Sequence, residues 1–134
     1  MALTFKRIPS SQVDPEIVRT ARQAAGDAAR ILNLGPIHIQ WVERYPSEKA
    51  IGWVDPRWPY HVHLAKDWCE LMGAAQTTAL IFHEIRHTWQ HVNQRYDAPG
   101  YKRQSEDDAE SFSFRHTRTM IERPDYKWRY QDYA

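Results

Sequence analysis

Cysteine is almost missing from this sequence, and long apolar runs are missing too. Both absences exclude several classes of protein. Cys69 is the single cysteine among 134 residues, so the chain can form no internal disulfide and no cysteine-rich zinc module. No apolar run approaches the roughly 18 residues that a membrane-spanning helix needs. The first ten residues lack the apolar stretch of a secretory signal, so we expect a cytoplasmic protein.

An excess of one charge is also missing. Eighteen Lys and Arg residues stand against seventeen Asp and Glu residues, which gives a net charge of +1. Proteins that bind nucleic acid through bulk charge carry a clear basic excess. We therefore expect neither nucleic acid nor a membrane as a partner. The length suits one core, and we expect a single domain over residues 1–134.

Histidine and tryptophan, in contrast, are abundant, with seven and six residues. Tryptophan helps a small chain to build a well-packed core. Histidine is the commonest metal ligand and is costly to bury without partners. A cluster of histidines in this sequence would therefore indicate a metal site.

The first half of the chain predicts one helix followed by a small sheet. Asp14-Pro15-Glu16 combines an N-cap, a first-turn proline and a first-turn acid, and apolar residues then recur at helical spacing as far as Asn33 or Leu34. Residues 3–8 form either a short edge strand or merely extended chain. Alternating patterns predict a three-stranded, mostly antiparallel sheet from residues 37–43, 51–55 and 60–65.

The second half predicts two long helices, which makes the fold class α+β. Residues 75–94 contain no proline or glycine and show a period of 3.6. Ala98-Pro99-Gly100 interrupts this pattern, and Gln104 or Ser105 can then cap a last helix from about residue 106 to residue 121. The aromatic and basic tail over residues 126–133 is expected to pack back on the domain.

The strongest chemical signal is His83-Glu84-Ile85-Arg86-His87, which lies inside the first of these two helices. Positions i and i+4 share one helix face, so both imidazoles can point at one metal ion. Glu84 is turned about 100° around the helix, beside the ion, where it can take a proton from a water that the metal activates. The alternative is a pair of surface histidines, but the other side of the helix is apolar and predicts burial.

A catalytic zinc needs a third protein ligand, and the sequence offers two sources. His91 lies one turn beyond His87, but three histidines in a straight row cannot all reach one ion. The last helix opens with acids at Glu106, Asp107, Asp108 and Glu110. Spacing alone does not separate these four, and a helix N-terminus favours acids in any case.

The segment Glu106-Asp107-Asp108-Ala109-Glu110-Ser111-Phe112-Ser113 resembles the Glu-x-x-Ala-x-x-Phe-Ala segment that follows His-Glu-x-x-His in the ImmA/IrrE family of small metallopeptidases. More broadly it resembles gluzincins, and the order of elements resembles the soluble minigluzincins. The resemblance implies a zincin-like fold with an active-site helix and a glutamate helix. It also implies that Glu106 is the third ligand and that Glu110 braces a ligand histidine. Ser113 stands where the family usually has Ala, and Glu110 where Asp or Asn is commoner.

These residues together predict a zinc metallopeptidase. Zn²⁺ would be held by His83, His87 and Glu106, with Glu84 as the general base and an extended peptide or protein segment as the substrate. Family analogy suggests a repressor as that substrate. Two other readings stay open: a catalytically inactive zincin-fold module that binds metal or a protein partner, and a metal-free helical interaction protein.

Several further residues carry weaker predictions. Gln90 lies near the face of the two histidines and can hydrogen-bond a ligand or the substrate, or only solvate the helix, as can Gln94. A hydrolase also needs a donor for the developing oxyanion. Spacing does not choose among the candidates for that donor, which are His91, His116, Tyr96 and Tyr101.

His61 and His63 lie on the same face of a predicted strand. They are interpreted as half-exposed strand residues, as half of a cupin-like metal site, or as part of a sheet edge above the metal cleft that pairs with a peptide. Cys69 is expected to be a buried, inert thiol.

Overall fold

The computed structural model describes residues 5–44 and 50–123. The described residues form four α-helices and a mixed sheet, and the α+β class is as predicted. In chain order the elements are β1 (Phe5–Ile8), a 3₁₀ turn (Ser10–Gln12), α1 (Pro15–Ile31), β2 (His38–Arg44), β3 (Gly52–Val54), β4 (His61–Ala65), α2 (Lys66–Met72), α3 (Ala74–Val92) and α4 (Lys102–Thr117).

The sheet differs from the prediction in strand number and in pairing. Within the described residues it has four strands in the order β1-β2-β4-β3, because Phe5–Ile8, inside the segment left open at residues 3–8, forms β1 and pairs antiparallel with β2. The central pair, β2 and β4, is parallel, and β3 pairs antiparallel with β4 at the edge. Alternation of apolar residues predicts that a segment is a strand, but it carries no information on which strand lies beside it.

Helix α1 begins as its sequence predicts. The Asp14 carboxylate accepts a hydrogen bond of 2.9 Å from the Glu16 backbone N–H, and Pro15 occupies the first helical position. The helix ends at Ile31, slightly before the predicted Asn33 or Leu34, because Asn33 adopts a left-handed conformation with φ 55°. Its small, buried alanines let α1 pack closely on α3.

Helix α3 spans nearly the predicted residues, whereas α2 before it was not predicted. Gly73 joins the two helices with φ +89°, a conformation that residues with a Cβ rarely adopt. This sharp junction lets α2 pack on the sheet while α3 turns away across the core. Cys69 on α2 is fully buried, and burial raises the pKa of its thiol to about 12, which fits the expected inert thiol.

Helix α4 begins and ends about one turn earlier than predicted. Tyr101 precedes its first residue, so Ser105 lies inside the helix rather than at its cap. Gly100, with φ +99°, completes the turn after α3 and lets the helix start at once. Arg118 ends it in a left-handed conformation with φ 56°. The tail at residues 126–133 lies outside the described residues.

The core cluster joins buried residues of the sheet and of helices α1, α2 and α3 with Phe112 of α4, which packs on α3. Val62 and Leu64 of β4 are fully buried and meet α3 residues such as Leu80 and Ile85 in one cluster. Among the described residues, we find no helix with the length and apolar character needed to cross a bilayer.

Candidate metal centre

His83 and His87 meet side by side on α3. Their Nε2 atoms are 3.2 Å apart, and their side chains are only 2% and 11% exposed. The i, i+4 spacing produces this approach, since both residues leave the helix on one face. Two buried imidazoles with their Nε2 atoms in contact need a partner that both can share.

That partner is Glu106 on α4. One carboxylate oxygen lies 3.2 Å from His83 Nε2 and the other lies 3.0 Å from His87 Nε2. Ligand atoms bound at about 2.0–2.1 Å in tetrahedral geometry are separated by roughly 3.3 Å. The three donors therefore already have nearly the spacing that a small cation requires, and this group could hold a metal ion.

The packing of α4 on α3 brings Glu106 to this position. Ala109 is fully buried and lets the two helices approach closely. Ser113, at the position where the segment that it resembles usually has alanine, donates a 2.7 Å hydrogen bond to the Ala79 carbonyl and so joins the helices. Phe112 is buried and stacks on Phe82 with ring centroids 5.9 Å apart.

The neighbouring acids lie in other environments. Asp107 is exposed. Asp108 receives two hydrogen bonds from Arg86, at 2.7 and 3.2 Å, and does not reach the histidines' Nε2 atoms. Glu110 contacts His83 at Nδ1, the other side of the ring from Glu106. Of the four acids that spacing left open, Glu106 is therefore the one that faces both Nε2 atoms.

Electrostatics couples the three groups strongly. Burial opposes the charge on Glu106, but hydrogen bonds from His83 and His87 outweigh it and hold the pKa of this carboxyl far below its ordinary value. Burial likewise opposes the charge on His87, but its hydrogen bond to Glu106 and the charge of Glu84 raise its pKa to about 9. Without a metal, His87 is therefore an imidazolium at neutral pH.

His83 is braced by a carboxylate that is itself held by an arginine. Glu110 Oε1 lies 3.1 Å from His83 Nδ1, within hydrogen-bond distance, while Nε2 of the same ring faces Glu106. Arg123 Nη2 donates a 2.9 Å hydrogen bond to the same Glu110 oxygen. Glu110 therefore occupies the bracing position that the family resemblance implied, whereas no sequence motif pointed to Arg123.

His87 is braced by a neutral amide. Gln90 is fully buried, and its Oε1 lies 2.8 Å from His87 Nδ1. The Gln90 amide N–H groups donate to the Ser105 carbonyl and to Asp108, both at 2.9 Å, while the Ser105 hydroxyl donates to Gln90 Oε1 at 2.6 Å. Partners of this kind fix the orientation of metal-binding histidines. Of the uses predicted for Gln90, the structure therefore places it against His87, one of the candidate ligands.

Glu84 is buried between α3 and the edge strand β3. A Cβ added at Gly52 would lie 3.3 Å from Glu84 Cγ and 3.2 Å from the His63 carbonyl oxygen. Glycine at this position therefore allows the Glu84 side chain to lie directly against the strand. Glu84 is beside the His83–His87–Glu106 group rather than part of it.

His61 and His63 do not join this group. The prediction that their strand forms a sheet edge over the metal cleft is wrong, because β4 lies between β2 and β3, and the edge strands are β1 and β3. His63 stacks on Trp53 with centroids 4.8 Å apart, and His61 stacks on His38 at 4.9 Å. Burial lowers the pKa of His63.

The candidates for an oxyanion donor also lie outside the group. His91 pairs with Asp97 at 3.0 Å, and His116 packs against Phe112 with centroids 4.6 Å apart. Tyr96 and Tyr101 are exposed and contact each other. Among the described residues, Arg123 is instead the cationic side chain that touches a histidine of the group.

No protein-family model matches this chain, and searches of curated proteins and of solved structures return no match either. The resemblance to small metallopeptidases therefore depends on the motif residues and on their geometry.

Proposed function

We propose that this protein is a zinc-dependent metallopeptidase with a zincin-like fold of the gluzincin type. The observation that carries this proposal is that one ligand atom each from His83, His87 and Glu106 lie within 4.8 Å of one another. Glu84 follows His83 directly on helix α3. Two imidazoles and one carboxylate are a ligand set that catalytic zinc sites use, and they leave a fourth position for a water or substrate.

Zinc in such a site supplies a Lewis acid that polarises the scissile carbonyl and makes a water more acidic. Glu84 accepts a proton from that water as its oxygen bonds to the carbonyl carbon. The carbon–nitrogen bond then breaks, and Glu84 returns the proton to the leaving amine. The remaining proton of the water passes from the new carboxylic acid to the amine, so the products are a carboxylate and an ammonium group, and Glu84 is ionised again as at the start.

The edge strand β3 supports an extended peptide as the substrate. The Ala65 N–H donates to the Ile51 carbonyl at 2.9 Å, and the antiparallel register pairs Trp53 with His63. Alternation along this ladder directs the backbone groups of Gly52 and Val54 away from β4. A peptide that paired with these groups would run past Glu84, which lies against Gly52.

The decisive variant is Glu84→Gln, which keeps the ligands and removes the base. We expect both the wild type and Glu84→Gln to bind about one zinc per chain, and we expect Glu84→Gln to lose casein hydrolysis by at least about 100-fold. Glu43→Gln, an exposed change of the same kind on β2, should retain both properties. His83→Ala should lose zinc.

Two results would contradict the proposal in different ways. A wild type that binds zinc but cleaves neither casein nor a broad peptide library supports the inactive metal-binding or protein-interaction module. A wild type purified without a His-tag that takes up no zinc supports the metal-free interaction protein.

A further inference from the structure

The last described segment, residues 118–123, is fastened across α2 and α3. The Gln76 side chain donates to the Met120 carbonyl at 2.8 Å and accepts from the Glu122 N–H at 2.9 Å. The Trp68 indole donates to the Glu122 carbonyl at 3.0 Å, and Ile121 is buried in the core. The backbone just before Arg123 is therefore tied to the body of the protein.

This attachment delivers the Arg123 side chain to the metal centre. The side chain is 15% exposed, and its Nη2 donates to Glu110 Oε1 at 2.9 Å. The same nitrogen lies 3.5 Å from Nδ1 and 3.4 Å from Nε2 of His83. Because Nη2 is nearly equidistant from the two ring nitrogens, it lies over the face of the ring and leaves Nε2 facing Glu106.

We propose that Arg123 is a positioning residue of the metal centre. It holds the Glu110 carboxylate against His83 and packs on the His83 ring, and these two contacts orient Nε2 towards the ion. This inference rests on the metal site of the proposed function, but it does not depend on hydrolysis. Arginine suits the task because its planar guanidinium can hydrogen-bond a carboxylate and stack on a ring at the same time. Lysine, a compact charge, can make only one of these contacts.

The test is zinc affinity, measured by competition with a chelator of known affinity, in a set of charge-matched variants. The double variant Glu110→Gln/Arg123→Gln removes one acid and one base, so the net charge of the site is unchanged while the brace is lost. We expect zinc binding about 10–100-fold weaker than in the wild type, as for other partners of ligand histidines. Arg123→Lys keeps the charge and should bind zinc with intermediate affinity.

The matched control is Asp107→Asn/Arg118→Gln. It also removes one negative charge from α4 and one positive charge from residues 118–123, but at exposed positions. This control should bind zinc within about twofold of the wild type. The visible spectrum of bound Co²⁺ provides a second readout. We expect the control to keep the wild-type spectrum and the Glu110/Arg123 double variant to change it, because the orientation of His83 changes.

Wild-type zinc affinity and an unchanged Co²⁺ spectrum in both Arg123 variants would overturn the inference, as would tighter binding by Arg123→Lys. Circular dichroism and metal-free melting temperatures show whether each variant is folded, and Arg123→Lys preserves the test if the double variant is not. A wild type that binds no zinc overturns both proposals. If the wild type binds zinc through His83 but cleaves no peptide, hydrolysis fails and the Arg123 inference is decided by the affinities.

Discussion

The raised pKa of His87 predicts a specific pH dependence of zinc binding. A metal-bound imidazole must be neutral at its donor nitrogen, so zinc has to displace the proton that His87 carries in the metal-free protein. The pKa of about 9 lies two units above pH 7. At about 1.36 kcal/mol per unit, this displacement costs roughly 2.7 kcal/mol at pH 7, which is about 100-fold in affinity.

Because zinc and a proton compete for His87, the zinc affinity should increase as the pH rises. Zinc affinity should rise by about tenfold for each pH unit from pH 7 towards pH 9, and it should level off above the pKa of His87. Calorimetry at pH 7 in buffers of different ionisation enthalpy should show about one proton released by His87 for each zinc bound. A zinc–chelator buffer, corrected for the chelator's own pH dependence, gives the affinities.

One control variant and the wild-type pH profile decide whether His87 is the source of this effect. His91→Gln should leave the slope unchanged, because His91 pairs with Asp97 outside the cluster. The reasoning is refuted if wild-type affinity is flat between pH 7 and pH 9 or if no proton is released at pH 7. Either result would mean that Glu106 and Glu84 do not hold a proton on His87.

Two further substitutions test the packing around the centre. Gln90→Ala should lower the free energy of unfolding by about 1–3 kcal/mol in urea titrations, since it leaves buried partners unpaired. It should also weaken zinc binding about tenfold. An unchanged free energy of unfolding together with unchanged zinc affinity would contradict the bracing of His87. Gly52→Ala should lower the melting temperature and the rate of casein hydrolysis, because the new Cβ would lie 3.2 Å from the His63 carbonyl oxygen. The control is Gly26→Ala, whose new Cβ would have no neighbour within 4 Å. It should be neutral or stabilising. Equal effects of the two glycine substitutions would show that crowding at Gly52 is unimportant.

Local signals predicted the helices better than the sheet. The caps and periodicity of α1 and α3 placed both within a few residues, because these signals act between residues near in sequence. Helix α4 was shifted by one turn, since the break at Gly100 allowed an earlier start than the acidic cluster suggested. The strand order and the parallel central pair depend on contacts between distant segments, which alternation does not encode.

The sequence by itself determined that His83 and His87 share one face of a helix and that Glu84 lies beside them, because the geometry of a single helix decides both. Only the tertiary structure decided that Glu106 is the acid facing both Nε2 atoms and that Glu110 lies against the other ring nitrogen of His83. Only the tertiary structure also brought Arg123 to Glu110. These meetings join residues 13 to 40 positions apart or lie between separate helices, so they depend on how the elements pack rather than on any local pattern.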